Sequence, residues 1–174
     1  AAIRTIIRGI IGRDINTIVD QVTSKQWYEV PGEIMATVAV TLEDYFADLQ
    51  SFLRDVAFLL AAKESLHFVW VTYVTKLLQT KSWAKEGFGE VIDEDIEVLQ
   101  ECFNEYIEPA VVQQYCDRLY ELKGLFEAKD SNEAFENFSV LLRHGFTTAM
   151  LKKRIQNIDI SSSEASSLMS EANE

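Results

Sequence analysis

Between Gly32 and Leu53 the apolar residues Ile34, Val38, Leu42, Tyr45, Phe46, Leu49, Phe52 and Leu53 recur mostly three or four positions apart, directly after a Pro31-Gly32 turn. That spacing draws one apolar stripe along a helix about 30 Å long, which other elements have to cover. A second pattern, Phe58, Leu59, Ala62, Leu66, Val69, Trp70, Tyr73, Val74, Leu77 and Leu78, spreads apolar residues around most of a helix and predicts burial on several sides. Two such helices in succession point to a bundle. Leu42, Tyr45, Phe46, Leu49 and Trp70 are the expected centre of its core.

The remaining patterns agree. Ile3, Ile6, Ile7, Ile10, Ile11, Ile15, Ile18, Val19 and Val22 repeat at helical spacing, with Gly12-Arg13-Asp14 as a candidate break and Asp14 as a candidate cap. Residues 23–32 read as a loop whose Trp27 and Tyr28 seal the end of the bundle. Residues 80–90 read as a loop, with Asp93 as N-cap of a helix that turns Ile96, Leu99, Phe103 and Ile107 inward. Glu108-Pro109 starts a further helix. Asp130-Ser131-Asn132-Glu133 spells a capping box, Gly145 a stop and Thr147 a restart. The expected fold is all-α, an antiparallel helical bundle of about six to seven helices. It should occupy residues 1–156, followed by a polar, flexible tail over 157–174. Ala1-Ala2-Ile3-Arg4 already lies inside a helical pattern, which reads as the interior of a longer protein.

Charge narrows the function. A net charge of −12 argues against nucleic acid, whose phosphates need clustered Lys and Arg. Residues 81–110 hold Lys81 and Lys85 against nine acids, and so carry −7 of that total. Residues 143–156 hold Arg143, Lys152, Lys153 and Arg154 with no acid. Asp93, Glu94, Asp95, Glu97 and Glu101 on one segment, and those four cations on the other, are the candidate partner-contact residues. The plainer reading of both is a solvated helix face. No apolar run is long enough for a transmembrane segment.

Catalytic chemistry finds little support. Glu64-Ser65-Leu66-His67 has the E-x-x-H spacing of di-iron bundles, but the other histidine, His144, has Leu141 where the second glutamate belongs. Asp93-Glu94-Asp95 lacks the glycine and closing glutamate of a calcium loop. Gly87-Phe88-Gly89 lacks the strand and Lys of a phosphate loop. Cys102 and Cys116 have no metal-ligand spacing and read as half-buried thiols. Asn137-Phe138-Ser139, a glycosylation sequon by spelling, falls inside a helix. The expectation is a non-enzyme with no cofactor and no metal.

The segment Val40-Thr41-Leu42-Glu43-Asp44-Tyr45-Phe46-Ala47-Asp48 resembles the D-Y-F-x-D segment in the C-terminal region of the exocyst complex component 3 family. The likeness continues through Phe68-Val69-Trp70-Val71-Thr72-Tyr73-Val74, the Asp95-Ile96-x-x-Leu99 start and Phe138-x-x-Leu141-Leu142-Arg143, so it spans roughly residues 15–155. That family often has basic residues where this chain has Glu64 to His67. The resemblance implies the last bundle of a rod-like subunit that tethers secretory vesicles to the plasma membrane. It also implies a cytoplasmic protein, peripherally associated with the plasma membrane at sites of secretion. Its implied partners are other tether subunits and SNARE machinery. Competing expectations are a peripheral membrane-binding bundle, using Arg4, Arg8 and Arg13 beside the isoleucines together with Lys152-Lys153-Arg154, and another helical adaptor or scaffold.

Overall fold

The computed structural model describes residues 2–79, 86–155 and 170, and among them the chain is helical without a strand. It divides into two compact units, Ala1–Cys116 and Asp117–Glu174. Of the loop expected over 80–90, residues 80–85 lie outside the described residues, 86–87 form a turn and 88–90 are already helical; residue 170 apart, the tail expected over 157–174 also lies outside the described residues.

The first unit opens with α1 (Ala2–Ile6), a π-helical turn (Ile7–Ile11) and α2 (Gly12–Val19) as one continuous rod. Gly12 is helical, with φ −61, so the expected break at Gly12-Arg13-Asp14 does not occur. The isoleucines explain the π turn. Ile7, Ile11, Ile15 and Val19 are buried at strict four-residue spacing, which over-rotates by about 40° per step on a helix of 3.6 residues per turn. One wider turn, closed by the Gly12 N–H on the Ile7 carbonyl, returns part of that rotation. It also leaves Ile6 and Ile10, expected in the stripe, 47% and 57% exposed.

Residues 23–32 are not a plain loop. α3 (Lys25–Glu29) forms there, N-capped by the Ser24 hydroxyl, which accepts from the Trp27 N–H at 3.4 Å. α4 (Glu33–Phe52) and α5 (Asp55–Gln79) follow, and then α6 (Phe88–Asn104). α6 begins five residues before the expected cap at Asp93. Phe88, Val91, Ile92 and Ile96 already bury a helical stripe, and Gly87 adopts φ +83, open to glycine at little cost, to turn the chain into it.

Side-chain pairs fix the directions. Asp14 meets Tyr45, Phe46 meets Phe58, Phe58 meets Tyr106 and Tyr73 meets Asp95, so successive long helices run antiparallel. The rod and α5 run parallel, paired at Arg4–Glu64 and Asp20–Lys76. α4 packs against α2, α5 and α6, which makes it the central helix of the first unit. A Cβ on Gly12 would stand 2.9 Å from Cζ of Phe68, so glycine permits the close approach of α2 to α5.

Leu42 and Phe46 are fully buried, but three expected core residues are not. Tyr45, Leu49 and Trp70 are half-buried. Adjacent helix positions point about 100° apart, so Phe46 takes the inward direction while Tyr45 lies at the rim, its hydroxyl donating to Asp14 Oδ2 at 2.7 Å. Trp70 sits edge-on to Tyr115. Nor is α5 covered all round: Val56, Leu59, Leu60 and Val71 face solvent.

α7 (Pro109–Glu127) opens in the first unit and ends in the second. The second unit continues with α8 (Ser131–Arg143) and α9 (Thr148–Ile155), around Leu122, Leu125, Ala134, Phe138 and Leu141. Asp130 caps α8 by accepting from the Asn132 and Glu133 N–H groups at 2.9 and 3.0 Å, and Glu133 returns to the Lys129 N–H at 3.0 Å. α8 ends as its sequence predicts. The Phe146 N–H reaches the Leu141 carbonyl and the Gly145 N–H the Leu142 carbonyl, both at 3.1 Å.

Candidate functional site

The most buried polar group of the first unit is Asp95. α3 brings Trp27 and α5 brings Tyr73, and both donate to Asp95 Oδ2, the indole N–H at 2.6 Å and the hydroxyl at 2.8 Å. Oδ1 is buried without a hydrogen bond. Burial pushes the Asp95 carboxyl up to about 6, against the pull of its two donors, and Glu94 adds to the rise. Burial and the adjoining carboxylate likewise hold the Tyr73 hydroxyl well above the usual phenol range. Asp95 therefore leaves the set of surface contact residues to which its neighbours point: its side chain is a core group fixing α3 to α6. Residue type hides it, since an acid is expected outside. The one sequence signal was its place in step with Ile92, Ile96 and Leu99.

The rest of α6 does form an acidic face. Glu90, Glu94, Glu97 and Glu101 are exposed at helical spacing and Asp93 is half-buried. No ion pair engages those four glutamates among the described residues. The basic segment belongs to the second unit. Arg143 is exposed in the last turn of α8, and Lys152, Lys153 and Arg154 fall on α9, their side chains outside the described residues.

A feature that charge patterning missed is the apolar corner at the junction of α4 and α5. Phe52 is 84% and Val56 74% exposed, with Leu59 and Leu60 on the following turn. The spacing of Phe52 predicts it in the buried stripe. α4 ends there, the next residues turn into α5, and the corner stands clear of the core.

The E-x-x-H pair is otherwise engaged. Glu64 accepts a forked set of hydrogen bonds from Arg4 at 2.8 to 3.0 Å, which lowers its carboxyl below the usual range. His67 packs against Tyr115, with Nδ1 3.4 Å from the hydroxyl. Among the described residues no group of His, Cys, Asp and Glu is arranged to hold a metal ion. Asn137 is half-buried on α8, its amide donating to the Glu133 carbonyl at 2.9 Å.

Residues 1–147 match the family model of exocyst complex component Sec6. The chain belongs to this family. No solved structure matches it. The Sec6 match takes in α1 to α8, and with them the acidic face of α6 and the apolar corner, and stops before α9 and its three cations. The resemblance read on the central helix and its flanks thus holds at the level of an exocyst subunit. Among the described residues no helix of this Sec6-family chain is long and apolar enough to cross a membrane.

Proposed function

We propose that this chain is a non-catalytic helical-bundle part, from the C-terminal end, of an exocyst-type subunit that tethers secretory vesicles to the plasma membrane. The observation that carries the reading is the Sec6 family match over residues 1–147. Its work is protein–protein binding in the cytoplasm at sites of secretion, with other tether subunits as partners and SNARE machinery as a further one. The folded part runs over residues 1–156, with 157–174 as a polar tail. Asp93, Glu94, Glu97 and Glu101 meet a basic partner surface, while Arg143, Lys152, Lys153 and Arg154 meet an acidic one.

Affinity capture of the full-length protein from cytosol tests this directly: other tether subunits should co-purify, and their absence overturns the reading. Reversing Glu94, Glu97 and Glu101 together to Lys should reduce that capture at low salt without changing the circular dichroism spectrum. A second reading, peripheral membrane binding, draws on the exposed Ile6 and Ile10 beside exposed Arg8 and Arg13. Flotation with acidic liposomes decides it, since that reading requires salt-sensitive binding and a net charge of −12 opposes it.

A further inference from the structure

α3 closes over the first unit on one buried side chain. The helix has five residues, too few to hold itself in water. Its anchor is Trp27, wholly buried, edge-on to Phe88 and donating to Asp95. Two of its other side-chain ties, Gln26 to Glu33 and Lys25 to Glu29, lie in solvent and hold little, and Tyr28 is half-buried edge-on to Trp27.

Two features work against the anchor. Asp95 takes both donors on one oxygen and buries the other without a hydrogen bond. Among the described residues the groups around it offer no countercharge. α3 brings Trp27 and the half-buried Tyr28, α5 brings Tyr73, α6 itself carries Asp93 and Glu94, and α4 opens beside Glu94 with Gly32 and Glu33. An ionised carboxyl there regains hydration only if a neighbour moves aside. The second feature is in the backbone. Thr23, just before α3, holds φ +68, a left-handed conformation that strains a β-branched residue. Gly32, just after α3, holds φ +77. Left-handed residues thus bracket the segment, one strained and one relaxed.

We propose that α3 is a strap, hinged at Thr23 and Gly32, that opens while the rest of the first unit stays folded, and that negative charge on Asp95 promotes the opening. Opening withdraws Trp27, admits water to Asp95 and relaxes Thr23; closing reburies the indole. The recess left behind is walled by the residues that held Trp27, namely Phe88 and Asp95.

Hydrogen exchange in the whole chain tests the strap, with the backbone amides of α3 and the Trp27 indole N–H followed by NMR and corrected for intrinsic exchange. Protection of α3 should lie below that of Val69 and Tyr73 in α5, and should fall by up to roughly thirtyfold between about pH 4.5 and about pH 7.5. Asp95→Asn should flatten that pH response. Thr23→Gly, which accepts a positive φ without strain, should raise α3 protection at both pH values. Equal protection of α3 and α5 at both pH values overturns the proposal, as does a pH response that survives in Asp95→Asn. Should Asp95→Asn fail to fold, the wild-type series and Thr23→Gly still decide: unchanged or lowered α3 protection in Thr23→Gly refutes the strained hinge.

Discussion

Tyr45 and Phe46 are adjacent aromatics on the same helix, and alanine at each should have very different consequences. Phe46 is fully buried and sits edge-on to Phe58, Phe103 and Tyr106, with centroids 5.7, 6.3 and 4.8 Å away. Deleting it empties the meeting point of α4, α5 and α6, where three rings cannot collapse without shifting backbone. The cost should reach about 3–5 kcal/mol, as for other large core aromatics. Tyr45 is half-buried and its one polar contact, to Asp14, is exposed. Tyr45→Ala should cost about 1–2 kcal/mol from partial burial, and Tyr45→Phe under about 1 kcal/mol. Urea unfolding followed by tryptophan fluorescence suits the measurement, because Trp27, Trp70 and Trp83 all belong to the first unit and the second contributes no signal. Equal costs for Tyr45→Ala and Phe46→Ala, or less than about 2 kcal/mol for Phe46→Ala, would refute the assignment of the inward direction.

The Asp95 carboxyl holds its proton more tightly folded, at about 6, than at its ordinary 3.8. Its contribution to stability is therefore full below about pH 4 and lost as pH rises through about 6, a change of about 3 kcal/mol that the wild type should show in urea melts and Asp95→Asn should not. Cys102 is buried, and burial, with Glu43 and Glu105 adding their charge, pushes its thiol up to about 12. Cys116 is buried too, so Ellman's reagent should label neither thiol in the native chain until it unfolds. Gly145→Ala forces a side chain into φ +90 with nothing in contact, and should lower stability of the second unit by about 1–2 kcal/mol in thermal melts followed by circular dichroism.

The fold was legible wherever local spacing and burial agree. The stripe of α4, the cap at Asp130, the stop at Gly145 and the start at Pro109 each depend on residues within a turn or two of one another. What failed depended on distant partners. Gly12 reads as a breaker until Phe68 needs the space it leaves, and Asp95 reads as surface until Trp27 and Tyr73, 68 and 22 positions away, supply its hydrogen bonds. Tyr45, Leu49 and Trp70 were misplaced for a different reason: periodicity gives the face a residue is on, but how far the neighbouring helix reaches around that face is a tertiary quantity. The acidic face was visible as charge, since it needs only α6 to be a helix. The apolar corner was not, because Phe52 keeps the spacing of a core residue right up to the point where its helix ends.

The acidic face itself makes a further expectation. Glu90, Glu94, Glu97, Glu101 and Glu105 follow one another at intervals of three or four residues, and all are exposed. Like charges at that spacing destabilise a helix by about 0.2–0.5 kcal/mol per pair, so the row costs the free chain about 1–2 kcal/mol. Among the described residues no ion pair offsets it. Screening should return part of that energy: raising sodium chloride from about 0.05 M to about 0.5 M should stabilise the first unit in urea melts, and the gain should shrink in the triple variant Glu94→Lys, Glu97→Lys, Glu101→Lys. A basic partner lying along α6 would relieve the same repulsion, so its binding should raise the melting temperature most at low salt. If salt leaves the wild type unchanged, or stabilises the triple variant equally, the face is not under electrostatic strain, and a basic partner would gain nothing there beyond its own contacts.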